Sequence, residues 1–210
     1  MADFSLLDLP EHFHSLKDSS ILILGNGPSA AKYDLGNEID KFDQVVRINN
    51  YKTTNLEAQV GSKTDIWVNG ANQGLAKRKT LAHNILVMIP SVVLDHKGAL
   101  IHKRIQHRLG TDQYYMLPVD LMRKMEIQCE IARPTTGFFT IYFFYLLGFD
   151  VTLHGFDFFV SSTSHYFDSP FKRWLKDKRI IRKAGKHDVS VEKSFIEALI
   201  ESGKIKLLKP

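Results

Sequence analysis

The sequence is poor in cysteine and has no long apolar segment. Its single cysteine, Cys129, excludes an intrachain disulfide, and its expected state is a buried, inert thiol in a reducing compartment. The longest nearly apolar run, residues 138–149, is about half of the ~20 residues that a membrane-spanning helix needs. The first residues have no basic-then-apolar signal pattern. These absences predict a soluble, cytoplasmic protein.

The sequence also has no linker, repeat or low-complexity tract, so a single domain over residues 1–210 is predicted.

The charge of the sequence is unevenly distributed. The formal net charge is +5, and eight Lys or Arg residues fall between residues 172 and 186. We interpret residues 161–187 as a mobile basic lid. Two interpretations of the segment 172–186 stay open: a solvated surface, or peripheral contact with an anionic acceptor or the inner face of a membrane.

Residues 21–30 are the most informative part of the sequence. An uninterrupted apolar run predicts a buried strand, and the Gly-Asn-Gly-Pro-Ser that follows predicts a tight turn into a helix. Free backbone amides in such a turn favour a phosphate. Gly25, Gly27 and Ala30 also fit a dinucleotide-binding pattern, but Arg47 and Asn49 stand where that pattern expects an acidic residue. An NAD- or FAD-binding oxidoreductase is therefore an alternative that depends on the turn alone.

Short apolar strands alternate with helices along the rest of the chain. The predicted strands are 21–24, 44–48, 65–69, 84–89, 114–117, 151–159 and 204–208. The predicted helices are 74–83, 94–109, a core helix that follows Gly137 and ends at Gly148, and a last helix with Val191, Phe195, Ala198 and Leu199 on one face. This alternation predicts an α/β fold: one Rossmann-like, three-layer domain with a mostly parallel sheet and a ligand crevice at the carboxyl ends of the strands.

No grouping of residues predicts a metal site. Four histidines lie in polar segments of the sequence without a Cys or acidic partner at the spacing of metal ligands, so we interpret them as solvated. They are His83, His96, His102 and His107. The sequence contains no Asp-x-Asp pair either. Neither a metal nor a cofactor is predicted.

Two predicted helix N-termini carry polar residues suited to a ligand or to chemistry. Thr135, Thr136 and Gly137 offer backbone and hydroxyl donors for an anion or a ribose, although simple helix capping explains them equally well. His187 stands at the start of the last helix, where the helix dipole favours the neutral imidazole that can act as a base.

The order of these motifs resembles the sialyltransferases. The motifs are GNGPS, FDQVVRINN, VGSKTDIW, RPTTGFF, HYFD and a histidine followed by Glu192 five positions later. Glycosyltransferase family 29 has this order in its long, short, third and very short sialyl motifs. The chain is also similar to bacterial sialyltransferase family 42, which shares Gly-Asn-Gly-Pro-Ser and a Gly-Ile-Asp-Phe strand end, matched here at 155–158.

The resemblance implies a role for each matching residue and a GT-A-variant form of the fold. His187 is implied as the base that accepts the acceptor hydroxyl proton, and His165 as the residue that steadies the departing phosphate. The residues implied at the donor nucleotide are Asn26, Gly27, Asn49, Asn69, Arg133, Thr135, Thr136, Gly137, Asp157 and Tyr166.

The implied reaction is the inverting, metal-independent transfer of a sugar from a CMP donor to a hydroxyl of a glycan or glycolipid. Sialic acid and Kdo both travel as CMP esters, so both stay open as the sugar. Histidine, hydroxyl and amide donors can supply this chemistry without a metal. A non-catalytic polyanion or nucleic-acid binder is a further alternative, but the aromatic residues are mostly not interleaved with the basic ones. Nucleic acid is therefore not expected as a partner.

Overall fold

The computed structural model describes residues 11–14, 16, 18–131, 133–157, 166 and 189–210. Most of the predicted lid 161–187 lies outside the described residues. The same is true of both predicted catalytic histidines, His165 and His187. Among the described residues, no helix combines the length and apolarity needed to cross a membrane.

The described strands form one parallel sheet, which confirms the predicted fold class. They are β1 Ser20–Leu24, β2 Gln44–Ile48, β3 Ile66–Asn69, β4 Asn84–Val87, β5 Tyr115–Met116, β6 Asp150–His154 and β7 Lys206–Leu207. The spatial order is β5-β4-β3-β2-β1-β6-β7. Because the strand order reverses between β1 and β6, a crevice is expected outside the carboxyl ends of these two strands.

Helices cover both faces of the sheet. They are α1 Glu11–His14, α2 Gly36–Asp40, α3 Glu57–Val60, α4 Ser91–Lys97, α5 Leu100–Leu109, α6 Val119–Cys129, α7 Thr136–Leu146 and α8 Val189–Glu201. Alternate residues of β1 face opposite sides: Ile21 and Ile23 join the larger apolar core, and Leu22 and Leu24 join the smaller one. The three predicted layers are therefore present.

The predicted core helix is confirmed in α7, where seven consecutive residues from Phe138 to Phe144 are buried. Burial raises the pKa of its Tyr142 to about 12. The predicted burial of Cys129 is also confirmed, and burial raises the pKa of this thiol.

Two helix predictions are wrong. Residues 74–83 form a loop, because the Asn50 side chain accepts from the Ala76 amide (2.9 Å) and donates to the Gly74 carbonyl (2.7 Å), which holds the backbone in a non-helical path. The helix predicted at 94–109 is two helices, α4 and α5, since Gly98 has a φ of +49° between them. The helix predicted after the Gly-Asn-Gly turn is present as a short 3-10 helix, Pro28–Ala31, with Pro28 in its first turn.

The buried face of α8 also differs from its prediction. Val191 is 44% exposed, whereas Glu192, Ile196 and Leu199 are buried. Glu192 is 1% exposed, and a carboxylate so deeply buried is unusual unless it is paired or hydrogen-bonded. The partner of Glu192 lies in the candidate site.

Candidate functional site

The amides of the Gly-Asn-Gly turn are used within the protein. Gly25 donates to the His154 carbonyl (2.7 Å) and Gly27 donates to the Gly155 carbonyl (2.8 Å). The Ser29 amide donates to the Asp157 carboxylate (3.1 Å). The expectation of free amides for a phosphate is therefore wrong for these three residues, because oxygen atoms at the end of β6 and in the turn after it accept their hydrogen bonds. A carboxylate at this position also repels a second anion.

The glycines of this turn are needed for a close approach between two backbone segments. A Cβ on Gly25 would lie 2.3 Å from the Gly155 oxygen, and one on Gly27 would lie 2.4 Å from an Asp157 oxygen. Gly155 itself has a φ of +72°, and a Cβ there would lie 2.6 Å from that of Ala30. The turn after β1 and the turn after β6 are thus fitted against each other.

We expect Gly155→Ala to lower the free energy of unfolding by about 3 kcal/mol or more, because it combines a left-handed φ with a clash against Ala30. Gly148→Ala is the matched control. Gly148 has a φ of +79° with open space around it, so about 1–2 kcal/mol of backbone strain is expected there. Urea unfolding measures both variants. Equal losses would contradict the importance of the contact.

A closed series of contacts joins the strand ends around the predicted crevice. The Asn26 side chain donates to the Ile48 carbonyl (2.7 Å), which joins the turn after β1 to the end of β2. The Asn49 side chain accepts from the Gly70 amide (3.2 Å), which joins the ends of β2 and β3. A Cβ on Gly70 would lie 3.1 Å from the Thr136 hydroxyl. The N-terminus of α7 therefore stands at the end of β3.

The last contact of the series leads from α7 to β6. A Cβ on Gly137 would lie 3.4 Å from the Phe156 ring, and Phe156 directly precedes Asp157. Because Asp157 contacts the turn after β1, the series closes on itself. The structure thus brings together eight predicted site residues at one edge of the sheet: Asn26, Gly27, Asn49, Asn69, Thr135, Thr136, Gly137 and Asp157.

Asn49 and Asn69 shape the backbone at this edge. Asn49 has a φ of +51°, and its carbonyl accepts from the Trp67 indole (2.7 Å). Asn69 is fully buried, and its side-chain oxygen accepts from the Ala71 amide (3.1 Å). Among the described residues, the Asn69 side-chain nitrogen has no acceptor. Their contacts with a nucleotide stay predictions.

Glu192 binds the N-terminus of α7. One carboxylate oxygen accepts from the Thr135 amide (2.7 Å) and the other from the Thr135 hydroxyl (2.6 Å). The same hydroxyl accepts from the Phe138 amide (3.1 Å), so Thr135 is also the N-cap of the helix. Helix capping by Thr135, which the sequence left as an alternative, is therefore confirmed. The amides beyond Thr135 stay at the positive end of the helix dipole.

Arg47 supports the loop between α3 and β3. Its guanidinium is fully buried and donates to the carbonyls of Val60 (2.7 Å), Gly61 (3.1 Å) and Lys63 (2.9 Å). Burial lowers the pKa of Arg47 from its ordinary value. The arginine therefore holds a loop together and does not face a ribose or a phosphate.

Tyr166 joins two turns beside the crevice. Its hydroxyl donates to the Lys52 carbonyl (2.6 Å) and accepts from the Lys52 amide (3.0 Å). Its amide donates to the Asn26 carbonyl (3.1 Å). Burial raises the pKa of this phenol. The hydroxyl is thus engaged with the backbone, and its predicted contact with the donor stays a prediction, as does that of the half-buried Arg133.

Two positioning groups of this site, Glu192 and His154, were not predicted from the sequence. For Glu192, its spacing from a histidine in the last motif was the available signal. His154 is buried and donates to the Ala30 carbonyl (3.2 Å), and burial lowers its pKa.

The four histidines that were predicted to be solvated, His83, His96, His102 and His107, are exposed. Within the described residues, no three His, Cys, Asp or Glu side chains group as metal ligands.

Comparison with protein families identifies the chain. Residues 5–204 match the family described as glycosyltransferase family 29 (sialyltransferase). The chain belongs to this family. In curated relatives from rat and human, both CMP-N-acetylneuraminate-beta-galactosamide-alpha-2,3-sialyltransferase 4, the similarity is local: 40% identity over 58 residues and 38% over 56. These matches span 28% and 27% of this chain and 17% of each relative's length.

Solved sialyltransferase structures share the fold of this family 29 chain. A mammalian sialyltransferase in complex with Gal-beta-1-3GalNAc-ortho-nitrophenol has a TM-score of 0.64 at 18% identity, over 91% of this chain and 70% of that one. CstII from Campylobacter jejuni, in complex with CMP-3FNeuAc, has a TM-score of 0.54 at 20% identity, over 90% and 80%. At these identities the likeness establishes the architecture.

Proposed function

We propose that this protein transfers a sugar from a CMP donor to a hydroxyl of a glycan acceptor, with inversion at the anomeric carbon and without a metal. The observation that carries the proposal is the closed series of contacts around the crevice of a family 29 chain. It brings the ends of β1, β2, β3 and β6 and the N-terminus of α7 to one place.

The charges around the crevice suggest how a nucleotide lies in it. Asp157 at the turn after β1 suits the hydroxyls of a ribose or the amino group of a cytosine, both of which are donors. The N-terminus of α7, with Thr136 and Gly137, suits the phosphate, since amides and the helix dipole favour an anion there. The nucleotide would thus span from β6 to α7.

Two histidines would perform the chemistry. His187 would accept the proton of the attacking hydroxyl, and His165 would stabilise the negative charge that develops on the departing phosphate. His187 precedes Glu192 by five residues, and Glu192 binds the N-terminus of α7. This link supports the assignment of the base to the same end of the crevice as the phosphate.

Sialic acid is the favoured sugar, since CMP-N-acetylneuraminate and CMP-3FNeuAc appear in the names of similar proteins and structures. Kdo also travels as a CMP ester and is the alternative sugar. A mass-spectrometric transfer screen with CMP-sialic acid and CMP-Kdo against a small panel of acceptors distinguishes the two. Product with CMP-Kdo alone would refute the choice of sialic acid.

We expect CMP to raise the melting temperature by about 5–10 °C at a concentration near 100 times its dissociation constant, in the presence of EDTA. Differential scanning fluorimetry measures the shift, and UDP and NAD are expected to give none. Thr136→Val is a matched variant, because it removes one hydroxyl at the N-terminus of α7 and keeps the shape of the side chain; a smaller CMP shift is expected for it.

The other outcomes decide between classes of protein. Preferential stabilisation by NAD would favour the oxidoreductase, and a salt-dependent DNA shift without CMP binding would favour the polyanion binder. A CMP shift that needs Mg²⁺ would contradict metal independence.

A further inference from the structure

One region of the described chain is almost free of acidic residues. Residues 66–111 contain seven Lys or Arg and four His, but Asp95 is the single Asp or Glu. Asp95 is not a free charge, since it accepts from Arg123 (2.9 Å). This region is separate in sequence from the basic segment 172–186 and carries an excess of positive charge of its own.

The structure gathers these charges onto one surface. Helix α5 contains no acidic residue and buries Ile101, Ile105 and Leu109. The loop 71–79 lies beside it, because Arg104 donates to the Ala71 carbonyl (3.2 Å) and Arg108 donates to the Gln73 carbonyl. The Lys77 side chain also lies next to Gly110 at the end of α5. Helix and loop therefore form one continuous basic surface.

The outer side of this surface combines cations with an exposed apolar side chain. We define the basic face by its exposed residues Lys77, Lys79, Leu100, Lys103 and His107. Leu100 is 64% exposed, and Val92 on the neighbouring α4 is 40% exposed. The exposed Asp112 lies just beyond the end of α5, but neither the helix nor the loop 71–79 contains an acidic residue. An apolar side chain among cations is the pattern of a helix that lies on an anionic lipid surface.

The basic face adjoins the candidate site. Ala71, whose carbonyl binds Arg104, follows directly on Asn69 and Gly70 at the end of β3. Gly70 in turn lies against Thr136 at the N-terminus of α7. A surface that rests on α5 and the loop 71–79 would therefore lie beside the opening of the crevice.

We propose that the basic face is a docking surface for a membrane that contains anionic lipids. Lys77, Lys79 and Lys103 attract the lipid phosphates, and Leu100 enters the boundary between headgroups and acyl chains. Docking of this kind holds the crevice next to the membrane, where an acceptor attached to a lipid would be presented. The surface is independent of the proposed transfer reaction, because lipid binding requires neither a CMP donor nor turnover.

The test is sedimentation of the full chain with vesicles of phosphatidylcholine alone or mixed equally with phosphatidylglycerol. We expect binding to the mixed vesicles that weakens at high salt. Lys79→Glu/Lys103→Glu should bind about 100-fold more weakly. Each lysine near an anionic surface strengthens binding about fivefold, and each glutamate adds repulsion. Leu100→Ser should bind about tenfold more weakly. Unchanged melting temperatures establish that both variants are folded.

The matched control is Lys41→Glu/Lys204→Glu, which changes the net charge equally at exposed positions elsewhere. It should retain binding within about threefold. Three results would overturn the proposal: no binding of the wild type to mixed vesicles, equal losses in the two double variants, or wild-type vesicle binding by Lys79→Glu/Lys103→Glu. If that variant binds vesicles normally but loses transfer to a soluble anionic acceptor, the basic face recognises the acceptor and not a membrane.

Discussion

His187→Ala is expected to lower the rate of sugar transfer by about 10²–10⁴-fold, the usual contribution of a general base. Affinity for CMP should stay near that of the wild type, because the base acts on the acceptor hydroxyl and not on the nucleotide. Initial rates with saturating donor, together with CMP titration by calorimetry, measure the two quantities separately.

Two further measurements sharpen this test. Added imidazole should restore part of the activity of His187→Ala, since a small base can enter the space that the side chain leaves. His83→Ala removes an exposed histidine and should leave the rate unchanged. A His187→Ala enzyme with near-normal turnover would remove this residue from the role of base.

Glu192→Ala is expected to lower the free energy of unfolding by about 3 kcal/mol, because it leaves the Thr135 amide and hydroxyl without their acceptor inside the protein. The N-terminus of α7 should also lose its fixed position, so CMP should bind more weakly. Glu192→Gln keeps the volume and one carbonyl oxygen, and about 1–2 kcal/mol is expected there. Urea unfolding and CMP titration measure both effects.

The same helix provides the control. Glu197 lies on α8 but is exposed, and its partner is Lys193 at 3.3 Å. Glu197→Ala should change stability by less than about 0.5 kcal/mol and leave CMP binding unchanged. If Glu192→Ala behaved like Glu197→Ala, the carboxylate would have no positioning role.

The sequence predicted those features that depend on neighbouring residues. Buried parallel strands are short apolar runs, so β1, β2 and β3 were recognisable, and so was α7, which is apolar on nearly every side. The parallel sheet followed from the alternation of strands and helices. The resemblance to the sialyltransferases implied the three asparagines Asn26, Asn49 and Asn69 as site residues, and each of them follows or ends one of these strands.

Features that depend on residues far apart in the chain were not predictable. The loop 74–83 was mistaken for a helix because the Asn50 side chain, which fixes it, belongs to the end of β2. The amides after β1 were expected to be free because nothing in the local sequence shows that β6 lies beside them. The burial of Glu192 was not predicted, since its partner is Thr135, 57 positions earlier.

The strand order also has a consequence for synthesis of the chain. Leu22 pairs with Val45 on one side of β1 and with Thr152 on the other. At about 5–20 residues per second, a growing chain contains β1 to β4 for several seconds before β6 has been made. Throughout that interval one edge of β1, whose residues 21–24 are all buried in the folded chain, has no neighbouring strand, so the nascent chain is expected to be prone to wrong strand pairing until β6 is made.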